Sequence, residues 1–254
     1  VLGSSSRAQA DMPTETEADR KVHEVSAKKT LGGQFSTGAI IGVVYWGIVY
    51  SYIRHLGGLQ ATLGLEGVYF NIIAVSIWIV FLELSTELLP NFVARKLCHA
   101  GCGFGMLLLD STDLRARLFV YFVSVSSIAM TWGLSPLPKF RFSDAQDVGI
   151  TIYLIGVSTW FYLQQPVTVL MPMFFADPAG AVIGKFCSHY FKEFNPAWYG
   201  KKTLAGSTAV FVVTLLTLGY PCSTAAKIAI GVGCVLAEAF GGTYDNLTLG
   251  AIVL

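Results

Sequence analysis

Charged residues are scarce in this sequence: they make up 13% of its 254 residues, against about 25% in an ordinary soluble protein. Hydrophobic residues make up 54%, and the mean hydropathy is +0.59. Neither sign of charge is in excess: the sequence has 17 Lys and Arg and 16 Asp and Glu, which gives a net charge of +1. The low charged fraction excludes a soluble globule. The net charge near zero excludes a bulk electrostatic field that would attract nucleic acid.

Two further signatures are missing. No segment matches GxxxxGK[ST], which excludes a Walker P-loop. The cysteines show none of the paired spacing of a small disulfide-rich secreted domain, so we predict reduced thiols. The five cysteines lie in or beside apolar stretches, at Cys98, Cys102, Cys187, Cys222 and Cys234.

The sequence does contain a series of apolar windows near the length of a transmembrane helix, about 20 residues. Several windows are shorter than this, as expected of helices that tilt or line a polar cavity. We therefore predict an all-α fold, a polytopic integral membrane helical bundle of about eight transmembrane helices with an incomplete ninth. The eight windows are 36–54, 67–85, 97–110, 118–135, 148–163, 166–184, 204–220 and 224–241, and residues 247–254 resemble the start of the ninth.

The chain divides into a tail and a membrane domain. Residues 1–35 are polar and have too little apolar surface to fold alone, which predicts a disordered or surface-lying tail before a membrane domain over 36–254. Alternating the spans across the bilayer places thirteen of the 17 cationic side chains on the same face as this tail. The positive-inside rule makes that face cytosolic, or its equivalent in an organelle.

Asp177 is a charged residue inside a predicted span, where charge is costly and therefore suggests a functional site. Pro178 follows it, which predicts a break or kink in the helix. Gly180 and Gly184 have the small-xxx-small spacing of ordinary helix packing. With Asp177 before them and Lys185 after them, a polar pocket with a tight backbone becomes the favoured interpretation.

A second polar segment precedes the seventh span. Lys201, Lys202 and Thr203 come just before Gly206 and Ser207 at a helix start. Lysines, hydroxyls and free N–H groups at a helix N-terminus can bind phosphate. The alternative is a membrane anchor of positive charge followed by a capped helix, and the sequence leaves both interpretations open.

Other polar residues are predicted to lie near the same membrane face. Lys96 and His99 are three residues apart, so they can share one face of a helix. A single histidine at a helix end, or Asp147 before a helix, also has an ordinary structural explanation. Together, however, the acidic and basic groups have the composition of a magnesium–phosphate site. They are Asp147, Asp177, Glu238, Asp245, Arg95, His99, Lys185, Lys201 and Lys202.

Four motifs in this order resemble the polyprenol kinase family, which includes dolichol, phytol and farnesol kinases and the fungal CTP-dependent diacylglycerol kinase. They are RKLCH at 95–99, DPAGAVIGK at 177–185, KKTLAGSTAVF at 201–211, and Glu238 followed by DNLT at 245–248. The resemblance covers roughly residues 90 to 250, and the spacing is most similar to the phytol and farnesol kinases.

The resemblance implies transfer of the γ-phosphate of CTP, with Mg²⁺, to a lipid alcohol such as phytol, farnesol or dolichol. Asp177 would be the central catalytic carboxylate, and our hypotheses for the proton acceptor are Asp147 first and His99 second. The expected metal ligands are Asp177, Glu238 and Asp245. The expected nucleotide and phosphate contacts are Arg95, Lys96, Gly180, Gly184, Lys185, Lys201, Lys202, Thr203, Gly206, Ser207 and Asn246.

Two alternatives remain open. A CTP:phosphatidate cytidylyltransferase shares a similar pattern, although its longer C-terminal signature is not found here. A non-catalytic subunit of a larger membrane complex, such as a photosynthetic one, is kept open by Ala176, where many relatives have glycine, and by the incomplete last helix. The expected partners are the bilayer, a prenyl alcohol and a nucleotide, but no nucleic acid. Phytol kinases would imply a plastid membrane, which we favour, and the other kinases the endoplasmic reticulum.

Overall fold

A computed structural model describes residues 17–55 and 67–253, and these residues are mostly helical. The predicted all-α class is confirmed over this part of the chain. Short 3₁₀ turns at Val167–Leu170, Lys192–Phe194 and Gly242–Tyr244 connect several of the helices. The α-helices of the described residues are α1 (Glu17–His55), α2 (Gly67–Leu84), α3 (Asn91–Leu107), α4 (Leu114–Thr131), α5 (Val148–Tyr162), α6 (Met171–Tyr190), α7 (Leu204–Thr217), α8 (Thr224–Phe240) and α9 (Asp245–Val253).

Among the described residues, four apolar segments are long enough to cross a membrane, which indicates a membrane protein. They are Ser36–Arg54, Gly67–Leu84, Leu114–Thr131 and Val167–Tyr190, and α5 and α7 are apolar but shorter. Large apolar side chains on these helices point outward: Val43, Leu84 and Phe122 are 74%, 75% and 71% exposed. Such exposure is costly in water and is expected where lipid covers the surface.

The helix boundaries differ from the predicted windows at several ends. Each predicted window contains a helix, but α3 begins at Asn91 rather than at residue 97, directly after Pro90. Pro90 is the N-cap residue, and a proline there removes no hydrogen bond of the helix, because the first backbone N–H groups have no intrahelical partner. Helix α1 begins at Glu17, so residue 35 is not a helix boundary, and residues 1–16 of the predicted tail lie outside the described residues.

The predicted break at Pro178 does not occur: α6 runs continuously from Met171 to Tyr190 with Pro178 inside it. Proline removes one backbone N–H, but membrane helices tolerate this where neighbouring helices pack around the site. Asp177 and Pro178 are both buried. The carboxylate is therefore presented from an intact helix, and no unwound backbone surrounds it.

A small hairpin interrupts the helices, which the all-α prediction missed. Strand β1 (Ala197–Tyr199) pairs antiparallel with β2 (Lys202–Thr203), and Gly200 turns the chain with a φ of 52°. The buried side chain of Asn195 accepts a hydrogen bond from the N–H of Ala205 and donates one to the carbonyl of Gly184. The hairpin is thus tied to the neighbouring ends of α6 and α7.

Arg141 fixes the loop between α4 and α5 against the end of α2. Its guanidinium donates to the carbonyl oxygens of Leu82 and Leu89 at 2.7–3.0 Å, and its backbone N–H donates to the Glu83 carboxylate. These bonds satisfy carbonyls that a helix end leaves free. The loop reaches the site described below through Asp147, the N-cap of α5.

Candidate functional site

A cavity of about 530 Å³ lies among α3, α4, α5 and α6, with contributions from α2 and the start of α9. Its volume is in the range of about 300–1,000 Å³ typical of small-molecule sites. The lining at one end is polar, and the remainder is mainly apolar. The polar end includes Arg95, Lys96, His99, Asp144, Asp147, Asp177, Asp245 and Asn246. Ser124, Ser127, Thr131, Ser143 and Gln146 also line the cavity. The apolar residues include Val75, Ile79, Met106, Val120, Val123, Leu154 and Val157.

Asp177 is the centre of the polar end. It is 5% exposed, and its Oδ2 atom lies 2.9 Å from Lys96 Nζ and 3.2 Å from His99 Nδ1. Lys96 Nζ is also 3.3 Å from Oδ1, so the amine contacts both carboxylate oxygens. A buried carboxylate is costly without such partners. Lys96 and His99 are three residues apart on α3 and lie on the same face of the helix, as the sequence predicted.

Both nitrogens of His99 face hydrogen-bond acceptors. Nδ1 lies against Asp177, and Nε2 is 3.1 Å from the backbone oxygen of Met173. The ring therefore links α3 to two consecutive turns of α6, because each of its nitrogens contacts an oxygen atom of α6. This geometry supports a positioning role for His99 rather than the predicted role of proton acceptor.

Asp147 is held in a similar way. Its Oδ1 accepts a hydrogen bond from the N–H of Ile150, as an N-cap does, and its Oδ2 is 2.6 Å from Arg95 Nη1. Burial raises the pKa of Asp147, but the hydrogen bond and charge of Arg95, with the N–H of Ile150, outweigh it and lower the pKa below its usual range. A carboxylate of low pKa is a poor general base. Its geometry is that of a helix cap and ion-pair partner.

The start of α9 brings Asp245 and Asn246 to the cavity. Burial and the charge of Asp177 raise the pKa of Asp245, and the charges of Lys202 and Lys96 offset this only in part. The Oδ1 atom of Asn246 is buried and has no hydrogen-bond partner among the described residues. Buried polar atoms are almost always satisfied. These two oxygen-bearing side chains therefore fit a cation or a donor on a bound molecule.

The three predicted metal ligands do not form one cluster. Within residues 17–55 and 67–253, no three His, Cys, Asp or Glu side chains are placed to hold a metal ion. Glu238 instead forms a close ion pair with Lys202. Mg²⁺ commonly takes only one or two protein carboxylates and completes its shell with phosphate and water. Asp245, with the free oxygen of Asn246, fits that mode of binding, whereas a cage of protein ligands does not.

The glycines of the DPAGAVIGK motif pack helices together. A Cβ on Gly180 would lie 2.5 Å from Val210 Cγ2, and one on Gly184 would lie 3.3 Å from the Cα of Gly206. A Cβ on Gly206 would in turn lie 3.0 Å from the Gly180 oxygen. These residues allow α6 and α7 to approach closely. They do not line the cavity, although the sequence favoured a pocket there.

Two of the predicted phosphate-binding lysines also lie elsewhere. The Lys185 amine is 4.0 Å from the centre of the Phe92 ring, a cation–π contact. Lys201 is exposed in the hairpin turn. Lys202 does not line the cavity either, but its charge acts on Asp245, so it lies near the polar end. Of the predicted lysines, Lys96 is the one in the cavity wall.

The start of α7 has the structure of a capped helix. The Thr203 hydroxyl accepts a hydrogen bond from the N–H of Gly206, and the Ser207 hydroxyl accepts one from Trp198 Nε1 at 2.7 Å. Both hydroxyls therefore already have partners within the protein. Of the two interpretations left open by the sequence, the geometry favours the capped helix over the phosphate site.

Tyr153 is a cavity residue that the sequence analysis missed. Its hydroxyl oxygen is buried and has no hydrogen-bond partner in the described part of the chain. Its ring packs edge-on against His99, with the ring centres 4.4 Å apart. The available signal was a tyrosine within an otherwise apolar window, where a buried hydroxyl is expected to need a partner.

The comparisons with known proteins add no family to this geometry. No family model, curated protein or solved structure matches this chain.

Proposed function

We propose that this chain is a membrane-embedded lipid alcohol kinase that transfers the γ-phosphate of CTP to a prenyl alcohol. The observation that carries the proposal is the composition of one cavity, which joins a charged end to an apolar region between helices. A long-chain alcohol needs both environments, because its chain must avoid water while its hydroxyl meets a charged nucleotide. The four motifs support the same reaction.

The proposal includes eight membrane-spanning helices, with α3, α5, α7 and α8 as short spans in addition to the four longer ones. The apolar character of α5 and α7 supports this arrangement. The polar end of the cavity is formed near the starts of α3, α5 and α9, on the face that the positive-inside rule makes cytosolic or stromal. We propose a plastid membrane, following the similarity to phytol kinases.

The reaction needs little covalent chemistry from the protein. The alcohol oxygen forms a bond to the γ-phosphorus, the bond from that phosphorus to the β–γ bridging oxygen breaks, and CDP leaves. The hydroxyl proton is released to a nearby base or to water. Such transfers depend mainly on positioning and on positive charge near the phosphate oxygens.

Different residues of the polar end would supply the positive charge and the positioning. Arg95 and Lys96 place positive charge on the cavity wall for phosphate oxygens. Asp177 and Asp147 hold these two cations in place through the contacts at 2.9 and 2.6 Å. Asp245 would hold Mg²⁺ together with phosphate. When bound, this ion would neutralise charge on the β- and γ-phosphate oxygens.

Labelled CTP tests the proposal directly. The full chain in lipid nanodiscs is incubated with Mg²⁺, a panel of phytol, farnesol and dolichol, and CTP labelled at the γ or the α phosphorus. We expect γ-label, but no α-label, in the extracted lipid. A lipid that carries cytidine and α-label would indicate a cytidylyltransferase. Failure to label any lipid, together with failure to bind CTP, would support the non-catalytic alternative.

A further inference from the structure

The hydroxyl of Tyr153 is a polar group that the fold leaves unsatisfied among the described residues. It is buried, and none of the described residues makes a hydrogen bond to it. The ring is held by its neighbours: it lies edge-on to His99 at 4.4 Å and to Phe174 at 6.1 Å between ring centres. A buried donor without a partner, on a residue that lines a cavity, points to an acceptor on a bound molecule.

Tyr153 lies where the polar end of the cavity meets the apolar region. On its polar side is His99, which in turn contacts the Asp177 carboxylate. Its ring also packs against the apolar cluster that contains Val120 and Val157. Val157 is one helical turn further along α5 and lines the same cavity. An acceptor bound at Tyr153 would therefore have charge on one side and hydrocarbon on the other.

We infer that the Tyr153 hydroxyl donates a hydrogen bond to the oxygen of the acceptor alcohol, an inference that rests on the proposed function. An alcohol oxygen has two lone pairs. One accepts the hydrogen bond from Tyr153, and the other remains free to attack the γ-phosphorus. The alcohol's chain then extends along Leu154 and Val157 into the apolar region. Tyr153 fixes both the depth and the orientation of the acceptor.

The alcohol fits this position better than a phosphate oxygen does. The cations suited to phosphate, Arg95 and Lys96, are about one turn nearer the start of α3 than His99, the residue that Tyr153 contacts. A phenol is neutral and supplies a single donor, whereas phosphate groups are usually bound by several charged or backbone donors. The apolar neighbours of Tyr153 also match the first carbons of a prenyl chain.

The matched variants are Tyr153→Phe, which removes only the hydroxyl oxygen, and Tyr162→Phe on the same helix. Tyr162 is 71% exposed and does not line the cavity. We expect Tyr153→Phe to raise the KM for phytol about tenfold, the loss that corresponds to one hydrogen bond to a substrate hydroxyl. The KM for CTP should stay unchanged, and Tyr162→Phe should leave both values unchanged. A raised KM for CTP alone would assign the hydroxyl to phosphate and overturn the inference.

A binding measurement without nucleotide separates this inference from the proposed function. Tritiated phytol and its hydrocarbon analogue phytane are titrated onto the full chain in nanodiscs. The wild type should bind phytol about tenfold more tightly than phytane, and Tyr153→Phe should bind the two equally. Unchanged phytane binding shows that the variant's cavity is intact. Equal preference for phytol in wild type and variant would refute the role of Tyr153, whether or not the chain has kinase activity.

Discussion

Lys96 and Asp177 lie 81 positions apart in the sequence, yet their side chains meet at 2.9 Å between α3 and α6. The contact is almost closed to solvent, with 16% of the lysine side chain and 8% of the aspartate side chain exposed. His99 approaches the same carboxylate at 3.2 Å. Two nitrogen-bearing side chains of one helix thus hold a single carboxylate of another, and the polar end of the cavity is built around these contacts.

Asp177→Asn should remove most of the proposed kinase activity while the protein stays folded. The amide keeps the size of the side chain but loses the charge that holds Lys96 and His99 in place. We expect kcat to fall at least about a hundredfold, because a displaced Lys96 would no longer place its charge near the phosphate in the transition state. Phytol phosphorylation measures this. Asp110→Asn is the control, because Asp110 is exposed and bonds to Thr112, and normal turnover in Asp177→Asn would contradict the prediction.

Lys96→Met should destabilise the protein more than the double variant Lys96→Met/Asp177→Asn does. The single change leaves a buried carboxylate without its closest cation, which costs about 3–5 kcal/mol in other proteins. Removing both charges relieves this penalty. Thermal unfolding in detergent measures the difference. A double variant that is less stable than Lys96→Met would show that the ion pair does not govern the stability of this site.

Gly180→Ala should lower the free energy of unfolding by about 1–3 kcal/mol, because the new methyl group would overlap the tightly packed Val210. Gly156→Ala is the matched control. A Cβ at Gly156 meets no atom within 4 Å, so alanine should be neutral or stabilise α5 by up to about 1 kcal/mol. Unfolding temperatures of the two variants report the contrast. Equal effects would argue against close packing of α6 on α7.

Asp147→Asn should destabilise the protein at neutral pH but not in acid. Asparagine can still cap α5, but it loses the charge that pairs with Arg95 at 2.6 Å. Because the pKa of Asp147 is lowered on folding, its charge contributes stability above the unfolded-state pKa of about 3.9. That contribution is lost as the pH falls through the lower, folded-state pKa. The difference in unfolding temperature between wild type and variant should therefore shrink below about pH 4; a constant difference would refute this linkage.

Lys185→Met should retain the proposed activity, although the motif suggests a phosphate-binding lysine. The Lys185 amine lies over the Phe92 ring and does not line the cavity. Methionine keeps the length of the side chain and can still pack against the ring. The KM for CTP is the measurement, with Lys96→Met as the comparison. A large increase in this KM for Lys185→Met would mean that the amine moves into the site when nucleotide binds.

The helices were largely predictable from the sequence, because an apolar window of membrane length has few other structures available to it. The close contact of Lys96 and His99 with Asp177 was only partly predictable. Spacing places two residues on one helix face, but it does not determine which distant carboxylate they meet. Glu238 shows the difficulty: the sequence suggested a metal ligand, whereas the fold places Lys202 against it.

Other features could not be predicted because their signals are local and short. The strands of the hairpin have only three and two residues, too few to show an alternating pattern. The role of Gly180 depended on which residue lies opposite it, and that is set by the packing of α6 and α7. Tyr153 was missed because an isolated hydroxyl in an apolar helix becomes informative only when the atoms around it are known.

The bonds of Arg141 have a mechanical consequence for the cavity. One guanidinium is bonded to the carbonyls at the end of α2, and its backbone is bonded to Glu83, so the segment leading to Asp147 is anchored at both its side chain and its main chain. This segment cannot move away from the end of α2 without breaking several hydrogen bonds together. Movement of this segment during ligand entry would therefore require more free energy than movement of a loop without such bonds.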